Sequence, residues 1–159
     1  MEPARRDDAA LLAQMSAAFI EAGLRPAWSA ARIGWHIRDA DSVVLTARCG
    51  SGLAGFAIMR YADDTAHLYL LAVDPAHRRR GVARGLLTWL EDSALTAGTF
   101  TVGLELRAQN SAARAFYAAL GYLETGEVAG YYQGVETAIR LQRDVRARDE
   151  APGARQASP

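Results

Sequence analysis

Apolar residues recur at helical spacing in the first part of the chain. Residues 7–23 carry an apolar residue at every third or fourth position, with two aspartates before the stripe and a glycine after it. Pro26 interrupts the pattern, and Ser29 follows as a candidate N-cap for a shorter apolar face. The pattern therefore predicts two helices, the second of them short.

The period then changes to one that is typical of strands. Residues 42–49, 55–62 and 66–73 are rich in β-branched and aromatic residues. The first two runs are separated by the glycine-rich turn GSGLAG, and the third follows the turn ADDT. The sequence predicts that these three strands pair as an antiparallel meander.

The second half of the chain alternates between the two periods. Helical spacing over residues 81–97 and 111–121 alternates with strand-like runs at 99–108, 122–128 and 136–145. A strand, a helix and a strand in succession predict a right-handed parallel crossover. We therefore expect a mixed α/β fold whose central sheet is mostly antiparallel and has helices on both faces.

Length and composition favour a single globular domain. The chain has 159 residues, of which 50% are hydrophobic, and 18 lysines and arginines balance 18 aspartates and glutamates. Residues 1–145 are predicted to form the domain, and the polar, aperiodic residues 146–159 a flexible tail. The zero net charge argues against a dedicated nucleic-acid-binding protein.

Nothing in the sequence predicts a metal site, a disulfide or a membrane anchor. Cys49 is the single cysteine, and the spacing of His36, His67 and His77 favours surface or packing roles over metal binding. No apolar run approaches the roughly 18 residues of a membrane span, and the first residues lack the apolar core of a secretion signal. We expect a cytoplasmic protein, a monomer or weak homodimer, that uses no metal, membrane or nucleic acid.

The stretch VDPAHRRRGVARGLL, residues 73–87, places basic and small residues between a strand and a helix. A helix N-terminus presents unpaired amides that can bind an anion, and Gly81 and Ala83 would let a phosphate approach the backbone. The alternatives are a solvated basic turn and a nucleic-acid site. The second is disfavoured because no aromatic residues are interleaved with the arginines.

A second stretch, LELRAQNSAARAFYAALGY, aligns three polar side chains. Asn110 begins the predicted helix, and Tyr117 lies two turns further on the same face. Glu105 alternates with two leucines in the preceding strand, so it points away from their face. A carboxylate, an amide and a phenol are thus predicted to converge near one cleft. Asn110 as a plain N-cap and Tyr117 as a core aromatic remain the alternatives.

These two stretches resemble the GNAT acyltransferases. HRRRGVARGLL is similar to the family's acetyl-CoA signature R/Q-x-x-G-x-G/A, read here as Arg78, Gly81 and Ala83, and the second stretch is similar to its last block. The resemblance extends from about Trp28 to Leu141. The residues of the two motifs are most similar to those of the RimI-type branch, the ribosomal-protein-alanine N-acetyltransferases. The resemblance implies the GNAT fold and acetyl-CoA as cosubstrate.

The resemblance also implies roles for individual residues. Glu105 would accept the proton of the attacking amine, and Tyr117 would protonate the departing thiolate. The backbone of residues 71–73 would pair with the pantetheine arm, and the amides after residue 78 would hold the pyrophosphate. The residues implied to bind acetyl-CoA are Leu71, Ala72, Val73, Arg78, Arg79, Arg80, Gly81, Val82, Ala83, Arg84 and Asn110.

The similarity to the RimI-type branch implies that the acceptor is the N-terminal α-amine of a protein, with a ribosomal protein as one candidate. A small amine such as a polyamine, antibiotic or amino acid is the alternative acceptor, and a non-catalytic acetyl-CoA-binding module is the alternative function. Trp28, Tyr131 and Tyr132 are candidates for the substrate wall, the two tyrosines in a loop between the last strands.

The chain departs from the family pattern at two points. It begins almost directly with a helix, so the first strand is expected to be stunted and to leave an exposed sheet edge. Ala83 stands where the branch more often has glycine, which would crowd the phosphate slightly.

Overall fold

The computed structural model describes residues 1–148, and its strands form one sheet of seven. The order across the sheet is β1-β2-β3-β4-β5-β7-β6. β4 and β5 run parallel, and the other neighbouring pairs are antiparallel. The mixed, mostly antiparallel sheet predicted from the sequence is therefore confirmed. The strands are β1 (Glu2–Pro3), β2 (Ser42–Cys49), β3 (Gly52–Tyr61), β4 (Thr65–Val73), β5 (Thr101–Arg107), β6 (Leu123–Tyr132) and β7 (Glu136–Asp144).

Helices cover both faces of the sheet, as predicted. One core cluster joins α1 and α2 to Phe56 and Ile58 of β3, and the other joins α3 and α4 to Ala57 and Met59. Alternate residues of one strand thus enter opposite cores, as the pleat of a strand requires. The helices are α1 (Ala9–Phe19), α2 (Ala30–Arg38), α3 (Val82–Thr96) and α4 (Ser111–Ala119).

β1 is the stunted first strand that the sequence predicted. Its two residues pair with Thr46 and Leu45 of β2 at the edge of the sheet. The amide of Ala4 extends the pairing by donating to the carbonyl of Val44 at 2.8 Å. Pro3 has no amide to offer a further strand, which blunts this edge.

An extra residue in β4 reverses its alternation. Leu68 pairs with Met59 of β3 and Leu70 pairs with Ile58, so Tyr69 is a β-bulge. Leu68 accordingly belongs to the α3–α4 core and Leu70 to the α1–α2 core. The bulge therefore turns the second half of β4 over relative to the first.

Several predicted boundaries need correction. β3 begins at Gly52, so the turn before it is only residues 50–51, where Gly50 takes φ 60°. β6 continues past the predicted end at residue 128 to Tyr132. Residues 146–148 of the predicted tail belong to a 3-10 turn, and its remainder lies outside the described residues. No helix within residues 1–148 has the length and apolar composition needed to cross a membrane.

Candidate active site

The cleft of the molecule opens where β4 and β5 stop pairing. Their parallel register ends at the pair Leu68 and Leu104, beside the bulge at Tyr69. Beyond it, β4 stays paired with β3 as far as Val73, and β5 stays paired with β7 as far as Arg107. The two central strands therefore diverge and leave a wedge within the sheet.

A cavity of about 740 Å³ fills this wedge. Its walls come from β4, β5, the segment between α1 and α2, the start of α4 and the end of β6. Ala72, Val73 and the turn of residues 78–84 lie outside the lining of this cavity. The predicted site residues that line it are Trp28, Leu71, Glu105, Asn110, Tyr117, Tyr131 and Tyr132.

Glu105 and Tyr117 reach the cavity from opposite faces of the sheet. Glu105 alternates with Leu104 and Leu106, which are buried in the α3–α4 core, so its side chain lies on the α1–α2 face. Tyr117 is itself part of the α3–α4 core. Because β4 and β5 are separated at this level, side chains of both faces line one space.

The carboxylate of Glu105 is held by two side chains. Its Oε2 lies 2.8 Å from Nε2 of His67, and its Oε1 accepts a hydrogen bond from Nε of Arg140 at 3.4 Å. The hydrogen bond with His67 outweighs partial burial and lowers the pKa of Glu105 below its ordinary value. The side chain is therefore ionised at neutral pH.

Tyr117 has the opposite electrostatic character. It is buried, and its ring packs edge-on against Phe116 and Tyr122, with centroids 5.0 Å and 5.3 Å away. Burial raises the pKa of Tyr117 well above its ordinary value. Its hydroxyl therefore keeps its proton at neutral pH. Tyr117 is therefore a core aromatic, as one alternative predicted, and it also lines the cavity. Its role as a proton donor stays a prediction.

The basic turn before α3 contains two residues in the left-handed region. Gly81 is the N-cap of α3 with φ 79°, and Arg79 takes φ 61°, which is uncommon for a residue with a side chain. Left-handed residues in such a turn direct successive amides to one side. The guanidinium of Arg78 donates from Nε to the carbonyl of Val73 at 3.2 Å, which ties the turn to the end of β4.

Asn110 caps α4, as one of the two alternatives expected. Its Oδ1 accepts a hydrogen bond from the amide of Ala113 at 3.0 Å. Its side chain nevertheless lines the cavity. Capping therefore fixes the orientation of the carboxamide at the cavity wall.

Two polar links join the outer walls of the cavity. Nε2 of Gln133, before β7, donates to the carbonyl of Arg25 at 2.6 Å, and the amide of Arg25 donates back to Oε1 of Gln133 at 3.1 Å. Arg107 donates to Glu136 and, at 2.8 Å, to the carbonyl of Ala22. The segment after α1 is thus fastened to the β6–β7 connection and to β5.

The placement of Tyr131 and Tyr132 corrects the sequence prediction. They were expected in a loop, but both lie within β6, which continues past an irregularity after Val128. Their rings meet edge-on at 4.9 Å, and both line the cavity. The aromatic wall is therefore part of the sheet.

The sequence does not predict the contacts of His67 and Arg140 with Glu105. His67 is partly exposed, which agrees with the surface or packing role expected for it, and its imidazole also contacts the carboxylate of Glu105. The signal lies in strand register: His67 pairs with Gly103, two positions before Glu105, and Arg140 pairs with Glu105 itself. Register cannot be read from one strand at a time. His36, by contrast, is a buried packing residue, and its Nδ1 is hydrogen-bonded to Oγ of Ser42 at 2.9 Å.

Within the part of the chain that the structure describes, no three His, Cys, Asp or Glu side chains are grouped so as to hold a metal ion.

Comparison with known proteins assigns the family. The family model for "Acetyltransferase (GNAT) family" matches residues 10–122. The chain belongs to the GNAT acetyltransferase family. The matched residues include the turn before α3 and the helix that carries Tyr117, so the resemblance found in these stretches is confirmed.

Two GNAT relatives support the RimI-type branch. The [ribosomal protein bS18]-alanine N-acetyltransferase of Salmonella typhimurium is 46% identical over 90 residues, which are 55% of this chain and 61% of the relative. The match thus spans about three fifths of that relative's length. The crystal structure of the ribosomal-protein-S18-alanine N-acetyltransferase from Escherichia coli has a TM-score of 0.78 at 27% identity and covers 99% of this chain and 97% of that chain.

A third comparison concerns the fold alone. The PaiA N-acetyltransferase from Thermoplasma acidophilum, solved in complex with coenzyme A, has a TM-score of 0.76 at 19% identity and covers 90% of this chain and 96% of that chain. The predicted GNAT fold is therefore confirmed.

Proposed function

We propose that this GNAT protein transfers the acetyl group of acetyl-CoA to the N-terminal α-amine of a protein. The observation that carries the proposal is the wedge between β4 and β5, where a hydrogen-bonded carboxylate and a protonated phenol line one cavity. The bS18-alanine N-acetyltransferases among its relatives support a protein N-terminus as the acceptor.

The chain's own features fit acetyl-CoA. The free edge of β4 after Leu68 can pair with an extended arm, and the amides of the turn around Gly81 can bind phosphate oxygens. Asn110 adds a hydrogen-bonding side chain at the cavity wall. Acetyl-CoA would supply the activated acyl group, held as a thioester.

Glu105 and Tyr117 would move the protons of the reaction. An α-amine has an ordinary pKa of about 7.7 to 8.0 and is partly neutral at pH 7, whereas lysine, near 10.4, is almost wholly charged. The ionised Glu105 would accept one proton from the attacking nitrogen, directly or through water. Tyr117 would give one proton to the departing sulfur.

The proton transfers of the proposed reaction balance. As the new N–C bond replaces the C–S bond, Glu105 has gained one proton and Tyr117 has lost one, and exchange through solvent restores both. Because burial raises the pKa of Tyr117 above that of a thiol, near 8.5, proton transfer to the sulfur is uphill and would be driven by the collapse of the tetrahedral intermediate as the C–S bond breaks.

Thiol release measured with a panel of amines tests the proposal. A peptide with an N-terminal alanine should release thiol, and the same peptide with a blocked N-terminus and an internal lysine should not. Tyr117→Phe should lower kcat by about 100-fold or more. Turnover of a polyamine but of no peptide would replace the acceptor, and calorimetric binding of acetyl-CoA without any turnover would indicate a binding module.

A further inference from the structure

His67 is the one histidine that faces the proposed proton acceptor. Its Nε2 lies 2.8 Å from Oε2 of Glu105. An ionised carboxylate can only accept hydrogen bonds, so the imidazole must donate from Nε2. In the neutral ring this choice leaves Nδ1 as the acceptor nitrogen and fixes the tautomer.

We propose that His67 is a positioning residue for Glu105. Its Nε2–H holds Oε2 at 2.8 Å, whereas Oε1, whose hydrogen bond from Arg140 is longer at 3.4 Å, is presented to the amine that attacks. The inference rests on the proposed function, in which Glu105 accepts the proton of that amine. It assigns His67 no proton transfer of its own.

Strand register places His67 and Glu105 on one face of the sheet. His67 is paired in register with Gly103, and Glu105 is the next residue of β5 on that face. On the other side, the ring of Tyr69 meets the imidazole edge-on at 4.7 Å. The imidazole is therefore confined between the bulge of β4 and the carboxylate on β5.

Each strand near His67 contributes a polar or charged neighbour. Arg60 of β3 pairs with His67 in register, but its guanidinium is bound to Asp39 at 3.0 Å. Arg140 of β7 bonds Glu105 rather than His67. Of these two contacts of Glu105, the one with His67 is shorter, at 2.8 Å, than the one with Arg140, at 3.4 Å.

His67 is also reached from a second side. A smaller cleft of about 230 Å³ is lined by His67, Tyr69 and Gly103 among others, and His67 and Tyr69 line both this cleft and the main cavity. Small molecules can therefore approach the imidazole position without passing the acceptor site. This second entrance makes chemical rescue a feasible test.

A pair of variants separates positioning from packing. His67→Phe keeps a ring against Tyr69 but removes the donor, and His67→Gln keeps an N–H donor without the ring. His67→Phe should lower kcat by about 10- to 100-fold, the scale expected when a catalytic group is displaced slightly. The KM for acetyl-CoA should be unchanged, and His67→Gln should retain most of the wild-type kcat.

Imidazole added to His67→Ala should restore part of the lost rate, through the smaller cleft. It should not restore His67→Phe, whose ring fills the space. Equal losses in His67→Phe and His67→Gln, a change confined to KM for acetyl-CoA, or no loss in His67→Phe would each overturn the inference.

Nitrogen NMR of the free protein gives a readout without turnover. His67 should show the Nε2–H tautomer in the wild type, and Glu105→Gln should change its nitrogen chemical shifts. Unchanged shifts would contradict the hydrogen bond. If no amine is acetylated by the wild type yet the NMR signature is present, the proposed function fails while the contact itself stands.

Discussion

Gly81 offers the sharpest test of the phosphate-binding turn, because the same helix supplies a matched control. Gly81 at the start of α3 and Gly98 just after its end have φ 79° and 83°, and at both an added Cβ would meet nothing within 4 Å. Leucine at either position would force a side chain into the left-handed region. Each variant should therefore lose about 1–2 kcal/mol of unfolding free energy, measured by urea denaturation.

The two variants should differ in ligand binding. Since the chain itself does not crowd a side chain at residue 81, any loss of acetyl-CoA affinity must arise where the ligand approaches. Losing one charge-assisted hydrogen bond costs about 1.5–3 kcal/mol, or roughly 10- to 150-fold in Kd. Isothermal titration should show this loss in Gly81→Leu and an unchanged Kd in Gly98→Leu. Equal losses in both, or a larger loss in Arg79→Ala than in Gly81→Leu, would refute the reasoning and restore the basic-patch interpretation.

Three further predictions concern side chains. Glu91 is buried and accepts hydrogen bonds from Tyr122 and Arg143. Glu91→Ala should therefore lower the free energy of unfolding, measured in urea, by about 3–5 kcal/mol, and the double variant Glu91→Leu with Arg143→Leu should recover much of that loss. A double variant whose loss is the sum of the two single losses would contradict this. The lowered pKa of Glu105 means that its carboxylate stabilises the fold above the unfolded pKa, near 4.3, and that this contribution is lost as pH falls through the folded pKa. Glu105→Gln should therefore reduce the free energy of unfolding more at pH 7 than at pH 3, and an equal reduction at both would exclude the linkage. Burial favours the neutral form of Tyr117 and raises its pKa, so its contribution to the free energy of unfolding is present below the unfolded pKa, near 10, and is lost at higher pH. Between pH 7 and a pH above 10, the free energy of unfolding should therefore fall less in Tyr117→Phe than in the wild type. Equal falls in the two proteins would count against this prediction.

The order of the helices and strands and the residues of the two motifs can be predicted from the sequence, because both are encoded in local patterns. Spacing alone placed Gly81 at the start of a helix and Glu105 opposite its neighbouring leucines, and both placements agree with the structure. The bulge at Tyr69 could not be read in this way. All residues from 68 to 73 are apolar or aromatic, so the reversal of alternation leaves no trace in the pattern.

Contacts between strands were equally out of reach. Arg140 lies opposite Glu105 and His67 lies opposite Gly103 because of sheet register, which depends on the whole sheet. Tyr131 belongs to β6 only because that strand continues past an irregularity that no local signal announces. The groups that tune the proposed proton acceptor therefore come from the tertiary fold, whereas the acceptor itself is visible in the sequence.

The bulge at Tyr69 has a consequence for solubility. An unpaired strand edge on the outside of a protein invites another sheet to add to it and leads to aggregation. Here the unpaired edge of β4 faces inward, across a wedge whose other wall is β5. This free edge therefore lies in the middle of the sheet rather than at its rim, so a strand of another molecule would have to enter between two strands to reach it.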